Sequence, residues 1–424
     1  MTLALLGIAI AVLLIIRVPV ALAFLGPSVV YMWLAGQSVG NGLREVFNAA
    51  NSFPLLAVPL FVFLGALANH AGIADRLFQF ALAVLARLRG SLGYVAVGTS
   101  LGFSWMSGSA VADSAALGKI LIPQMIRNGY GRRFATGVTA SSALIAPVMP
   151  PSIPAVIFAG LAAVSTGALF AASVIPALLM TAGLVIVVSI LVARNPKIVR
   201  SEFDKQKVVA SIKGVILPML TPIVILGGIL GGFFTPTEAA AVAAMYILLV
   251  GLVQRSLTLR GFIAAVRETV LTTAAIMLIV ATASLLGYIL TRERLPQMMT
   301  DAMLSISDSP TVFLLLVVLL CLILGTVIDA TAVLVLIVPI LMPIAARYDV
   351  DPIVLGVVMI IALMIGLLTP PVGTVLFIVS NVSQTRIGEV FRGTLPFILP
   401  ILVVCLLIVF FPNAAMWLPR ALGL

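Results

Sequence analysis

Apolar runs of about 18 or more residues recur along this chain, each long enough to cross a hydrocarbon core of ~30 Å as a helix. Hydrophobic residues make up 62% of the 424 and charged residues only 9%. A soluble domain carries roughly a quarter charged residues, so most of these apolar side chains must face lipid or one another. The first run, Leu3 to Ile16, has no basic stretch ahead of it and no A-x-A site behind it, and another apolar run follows at once. It reads as a retained first helix, not a secretory leader.

The same composition narrows the chemistry. Cys321 and Cys405 both lie in apolar runs, too few and too deep for a disulfide framework or a metal site. The single histidine, His70, ends an apolar run and reads as a polar residue at a helix end, so no transition-metal cluster is expected. A phosphate-binding G-x-x-x-x-G-K-[ST] is missing: Gly118-Lys119 lacks the upstream glycine and runs into Ile120. Covalent catalysis and ATP hydrolysis therefore find no residues to carry them. The expectation is a protein that is not an enzyme, uses no cofactor and draws energy from an ion gradient.

The chain reads as a duplication. Leu43, Val46, Phe47 and Ala50 repeat as Leu259, Phe262, Ile263 and Val266, an offset of 216 residues at the first pair. Both sets fall at i, i+3, i+4 and i+7, one face of an amphipathic helix too short and polar to span. Pro19 pairs with Pro236 and Gly108 with Gly325 at 217, and Asp113 with Asp329 at 216. Each aspartate is followed ten residues later by proline, Pro123 or Pro339. Pro150-Pro151 pairs with Pro370-Pro371 at 220. The expected halves are 1–200 and 213–424, joined by a basic connector at 201–212.

In the first half, crossings are expected at about 2–17, 18–36, 53–71, 132–163 and 165–193, the fourth broken in its middle. Residues 90–126 read as a re-entrant hairpin, and 42–52 as an interfacial arm. The second half supplies an arm at 258–268, a hairpin at 310–346 and a broken helix at 352–383. Five crossings is odd, so the halves run in inverted topology. With the connector in the cytoplasm, eighteen of the 24 Lys and Arg fall inside and five outside, with Lys119 in the hairpin. This asymmetry explains the net charge of +10 without nucleic acid. Both termini come out on the external face. The fold class is thus an all-α polytopic membrane protein built from two inverted repeats.

Irregular backbone survives at membrane depth only where protein or a cavity satisfies it. Four such breaks are paired across the repeat: the tips Ser104 to Ser109 and Gly325 to Asp329, and the interruptions Ala146 to Ser152 and Leu368 to Thr374. Paired interruptions of this kind point to a transport site, with half-helix N-termini favouring anionic groups and freed carbonyls favouring a cation. Ser107, Ser109, Thr326 and Thr369 offer neutral oxygens suited to a hard cation. Asp113 and Asp329 are the only carboxylates in the hairpins; Asp113 is either functional or an ion-pair partner of Lys119. Glu238, just past Pro236, reads as an acid complementing a helix N-terminus.

Together, Ser107-Gly108-Ser109 with Ala112-Asp113, Ala146-Pro147 to Pro150-Pro151-Ser152, and Leu368-Thr369-Pro370-Pro371-Val372-Gly373 resemble the large membrane subunit of tripartite ATP-independent periplasmic (TRAP) transporters, over essentially the whole chain. The resemblance implies an ion-transporter-type fold, an elevator, and Na⁺-coupled uptake of organic acids across the bacterial inner membrane. It implies a first Na⁺ site at Ser107, Gly108, Ser109, Ala146, Pro147 and Pro150, and a second at Gly325, Thr326, Thr369, Val372 and Gly373. Ser109, Ser152, Thr326, Asp329 and Thr374 are the substrate-binding candidates. A separate small four-helix membrane subunit, a periplasmic substrate-binding protein and membrane lipid are the implied partners. The nearest rival is a stand-alone ion-coupled carboxylate carrier of the same broad fold; a channel and an intramembrane enzyme are further rivals.

Overall fold

A computed structural model describes residues 3–16, 18–194, 204–305 and 307–424. Arg17, Lys197, Arg200 and the start of the connector lie outside the described residues. The rest is helical, with no strand among the described residues.

The first half opens with α1 (Leu3–Ile15) and α2 (Val20–Leu34), then the arm α3 (Val39–Ala50) and α4 (Ala57–His70). A short 3-10 turn containing Pro54 joins α3 to α4 at a 53° bend. Next come α5 (Ile73–Leu85), α6 (Ser91–Ser107) and α7 (Ala110–Arg127), the latter two forming the first hairpin. The interrupted α8 (Arg132–Ser142) and α9 (Ile153–Ala162) follow, then α10 (Thr166–Ala193). The connector is not merely polar chain, because α11 (Lys205–Val215) occupies it and leads at 58° into α12 (Thr221–Leu230). The second half continues with α13 (Pro236–Val253), α14 (Leu259–Arg292), α15 (Leu295–Leu304), and the hairpin α16 (Pro310–Gly325) and α17 (Ala330–Arg347). It closes with the interrupted α18 (Pro352–Gly366) and α19 (Thr374–Ser383), α20 (Ile387–Phe410) and α21 (Asn413–Ala421).

Among the described residues five helices, α10, α13, α14, α17 and α20, are long and apolar enough to cross a bilayer unaided; the two bent pairs raise this to as many as seven. α1 and α2 are shorter than the crossings read at 2–17 and 18–36, at 13 and 15 residues. Large apolar side chains cover the outer surface: Trp33 and Phe47 are 72% exposed, Leu259 76% and Phe233 79%. Lipid is the solvent in which such a surface is stable.

Two corrections to the sequence reading emerge. The second arm is not a separate helix. Residues 258–268 begin the unbroken 34-residue α14, because nothing there matches Pro54, whose ring and missing amide bend the first half. The register of the repeat also shifts after the second helix. Ser38 stands at the N-cap position of α3 as Thr258 does at that of α14, and Ser109 caps α7 as Asp329 caps α17, which puts the pairing at 220 rather than 216. Asp113, inside the first turn of α7, is therefore no counterpart of Asp329. Pro123 matches Pro343, also within α17, not Pro339. A four-residue slip on a helix of 3.6 residues per turn keeps side chains on nearly the same face, so periodicity alone did not reveal it.

Helix packing falls into two sets, joined where α14 packs on α17 and α4 on α6. In one, α4 packs on α13 and α14, α14 packs on α2 and α3, and α12 packs on α13. In the other the repeats interleave: α8 lies on α20, α7 on α19, and α9 on α17. At the α8–α20 seam a Cβ on Gly137 would lie 2.1 Å from the Gly393 carbonyl oxygen, and one on Gly393 2.2 Å from that of Arg133. Only glycine permits this approach, as small residues do between helices that lipid cannot drive together.

Candidate functional site

The first tip is held against the first interruption. Gly108 has φ +58°, and a Cβ there would sit 2.6 Å from the Pro151 carbonyl oxygen and 3.4 Å from the Ile153 amide nitrogen. Ser109 accepts from the Ala112 amide at 3.4 Å, capping α7, and Ser152 accepts from the Ala155 amide at 3.2 Å, capping α9. The Ser152 hydroxyl in turn donates to the Pro147 carbonyl. Ala146, Pro147, Pro150 and Ser152 are all buried.

Asp113 stands beside this tip, 0% exposed. Its Oδ1 accepts from the Ser107 hydroxyl, while its Oδ2, also buried, has no partner. Lys119 is exposed, and among the described residues Asp113 meets no cation, so the ion-pair alternative fails. A buried carboxylate oxygen without a donor is costly unless a cation or proton joins it. The Ser107 hydroxyl and this carboxylate are oxygen donors of the kind a hard cation such as Na⁺ takes.

The second tip meets the second interruption through the backbone. The Thr326 carbonyl accepts from the Val372 amide at 3.0 Å and the Gly373 amide at 3.2 Å. A Cβ on Gly366 would lie 2.6 Å from the Gly325 carbonyl carbon. The Thr326 and Thr369 hydroxyls donate to Ile323 and Ile365 of their own helices, at 2.8 and 2.9 Å, leaving their lone pairs free. The Thr374 hydroxyl is buried without a partner.

A cavity of about 200 Å³ lies between the tips, lined among others by Gly108, Ser109, Pro147, Ile153, Asp329 and Met364, with Thr272 and Ile276 of α14 as its far wall. First-turn residues of three helices face it: Ser109–Val111 of α7, Ile153–Pro154 of α9 and Asp329–Thr331 of α17. Helix N-termini carry partial positive charge and free amides, the usual seat for an anion. Among the described residues, no Lys, Arg or His belongs to the lining. A second cavity of about 190 Å³ shares Ser109, Val111, Ile153 and Thr272 and adds Ser107, Asn69 and Glu268. Of the expected site residues, Ser107, Gly108, Ser109, Pro147 and Asp329 thus line this cleft. Ala146, Pro150 and Ser152 support it from behind, and Gly325, Thr326, Thr369, Val372, Gly373 and Thr374 form the second tip–break contact apart from it.

Several cleft residues escaped the sequence reading. Thr272 and Ile276 looked like ordinary positions of an apolar crossing. His70 is not merely a helix end: its Nε2 lies 3.1 Å from Glu268 Oε2, joining α4 to α14 beside the second cavity. Nothing in sequence signals a contact between residues this far apart. Glu238 forms a capping box with Thr235, accepting from its amide at 2.8 Å, as its place after Pro236 suggested.

Comparison with known proteins places this architecture. Residues 7–414 match the family model described as "Tripartite ATP-independent periplasmic transporter, DctM component". The chain belongs to that family. It is 41% identical over 96% of both chains to the sialic acid TRAP transporter large permease protein SiaM of Vibrio cholerae. It is 37% identical over 91% of both to the C4-dicarboxylate TRAP transporter large permease protein DctM of Pseudomonas aeruginosa. It is 34% identical over 94% of both to the 2,3-diketo-L-gulonate TRAP transporter large permease protein YiaN of Escherichia coli. Among solved structures, the YdaH transporter of Alcanivorax borkumensis shares the fold, with TM-score 0.62 over 88% of both chains at 16% identity. The protein is a multi-pass large permease component of a TRAP-type transporter, all-helical with paired hairpins and interrupted helices.

Proposed function

We propose that this TRAP permease imports a small organic acid across the inner membrane in symport with Na⁺, fed by a periplasmic binding protein and joined to a small four-helix membrane subunit. The observation that carries the reading is the cleft: three helix N-termini face one space with no basic side chain among the described residues of its lining. The N-termini favour an anion, and the partnerless oxygen of Asp113 behind them invites a cation. The relatives' names add that sialic acid, C4-dicarboxylates and 2,3-diketo-L-gulonate, all acids, pass through similar permeases. One relative, SiaT of Haemophilus influenzae, is 36% identical, and this chain spans 67% of its length. The connector faces the cytoplasm and both termini the periplasm. The α6–α9 and α16–α19 group slides as an elevator against the scaffold of α2–α4 and α12–α14.

Reconstitution in liposomes tests this. Uptake of a panel of labelled organic acids is expected only with candidate small subunit and binding protein present, and only under an inward Na⁺ gradient. Undiminished uptake with Na⁺ collapsed and a proton gradient kept overturns the coupling. Uptake without the binding protein makes the chain a stand-alone carrier.

A further inference from the structure

A cavity of about 230 Å³ opens on the α8–α20 seam, away from the cleft, lined by Gly131, Arg133, Phe134, Leu191, Arg392, Gly393, Pro396 and Phe397. Arg133 and Arg392, from different repeats, are both exposed at its mouth, and among the described residues neither forms an ion pair with an acid; Glu389, one turn before Arg392, is the nearest acid along α20.

The walls are apolar and ordered. Phe134 stacks on Tyr130 with ring centroids 5.6 Å apart and meets Phe397 edge-on at 6.2 Å. Leu191 and Pro396 complete the lining. The place is the end of the bundle where α8 and α20 begin and α10 approaches its end. Arg127, Arg132 and Arg386 sit at the adjoining helix ends. A helix end with a basic rim is where headgroups of a bilayer lie.

We infer that this crevice is a binding site for an anionic phospholipid. Its phosphodiester sits between the two guanidinium groups, and an acyl chain runs along Leu191, Phe134 and Pro396, with the buried Phe397 packed beneath. Arginine is suited to the first part, because its planar fork gives paired charge-assisted hydrogen bonds to phosphate oxygens. The apolar wall distinguishes a lipid from free phosphate, which gains nothing there. A lipid so placed bridges the two repeats at the Gly137–Gly393 contact and travels with that group of helices.

The test is thermal unfolding of the delipidated full-length protein in neutral detergent, titrated with phosphatidylglycerol, phosphatidylcholine or inorganic phosphate. Phosphatidylglycerol is expected to raise Tm saturably, as a ligand of the folded state does; the other two are not. In R133Q/R392Q the half-saturating concentration rises roughly tenfold or more for each arginine removed. L191W keeps both arginines, fills the crevice and is expected to lose the effect too. Equal protection by inorganic phosphate identifies a plain anion site and overturns the lipid assignment. Equal protection by phosphatidylcholine, or wild-type protection in R133Q/R392Q, overturns it as well.

Discussion

Gly108→Ala asks whether the first tip and the first interruption are truly wedged together. Two costs arise. The backbone at φ +58° disfavours alanine by ~1–2 kcal/mol. The new Cβ also falls 2.6 Å from the Pro151 carbonyl oxygen, a backbone atom that cannot rotate away, and overpacking of this kind costs about 1–3 kcal/mol. The sum is ~2–5 kcal/mol, a large share of a typical margin of 5–15. Gly129→Ala is the control. Its φ is +81°, but a Cβ there meets nothing within 4 Å, so it carries the strain without the clash. Both variants are to be compared by thermal unfolding in detergent and by uptake against Na⁺ concentration. Gly108→Ala is expected to unfold at lower temperature than Gly129→Ala. It should raise half-saturating Na⁺ at least about tenfold, since 1.4 kcal/mol suffices for that. If the two variants behave alike in both assays, the tip does not bear on the interruption and the wedge argument is wrong.

Asp113→Asn keeps the shape but removes the charge; half-saturating Na⁺ is expected to rise roughly tenfold or more, and an unchanged sodium curve excludes Asp113 from the ion site. Single cysteines at Gln206 and Thr291, both exposed, in a background with Cys321 and Cys405 replaced by alanine, should label from opposite sides of the membrane; labelling from one side refutes the inverted count. Thr272 and Val111 line both cavities from opposite walls, so a thiol crosslinker joining cysteines there should abolish uptake. One joining Phe63 to Phe262, whose rings meet at 6.2 Å within the scaffold, should be tolerated. The reverse pattern makes the motion a rocking of whole repeats instead of an elevator.

The duplication and its four interruptions were legible because the backbone there needs particular residues. Double proline cannot sit in a continuous helix, and a tip in van der Waals contact with other backbone needs glycine. Features set by ordinary helical residues were not legible. α5 and α11 escaped because they are short and amphipathic, without the apolar run that marks a crossing. Asp113 was visible as an intramembrane acid, but its bond to Ser107 and its free oxygen required coordinates. The far wall of the cleft was hidden for another reason: Thr272 belongs to a helix that packs on the tips only through the tertiary fold.

On the proposed function, the cleft itself demands coupling between ion and substrate. A carboxylate entering it leaves water and finds no basic side chain among the lining residues. It finds instead helix N-termini worth about half a charge each, one of them already capped by the Asp329 carboxylate, which accepts from the Thr331 amide at 2.9 Å. Asp329 adds negative potential of its own, and Asp113 does so whenever it is ionised. A cation bound behind the tip offsets that potential, so it must strengthen substrate binding. By linkage the substrate then strengthens cation binding by the same factor. On that proposal neither partner binds well alone, and the loaded state is the one in which the local charges balance. A cleft lined with arginine would hold the acid without sodium and would lose this mutual dependence. On the proposed function, a lining with no basic group among the described residues is what lets a sodium gradient do work on the substrate.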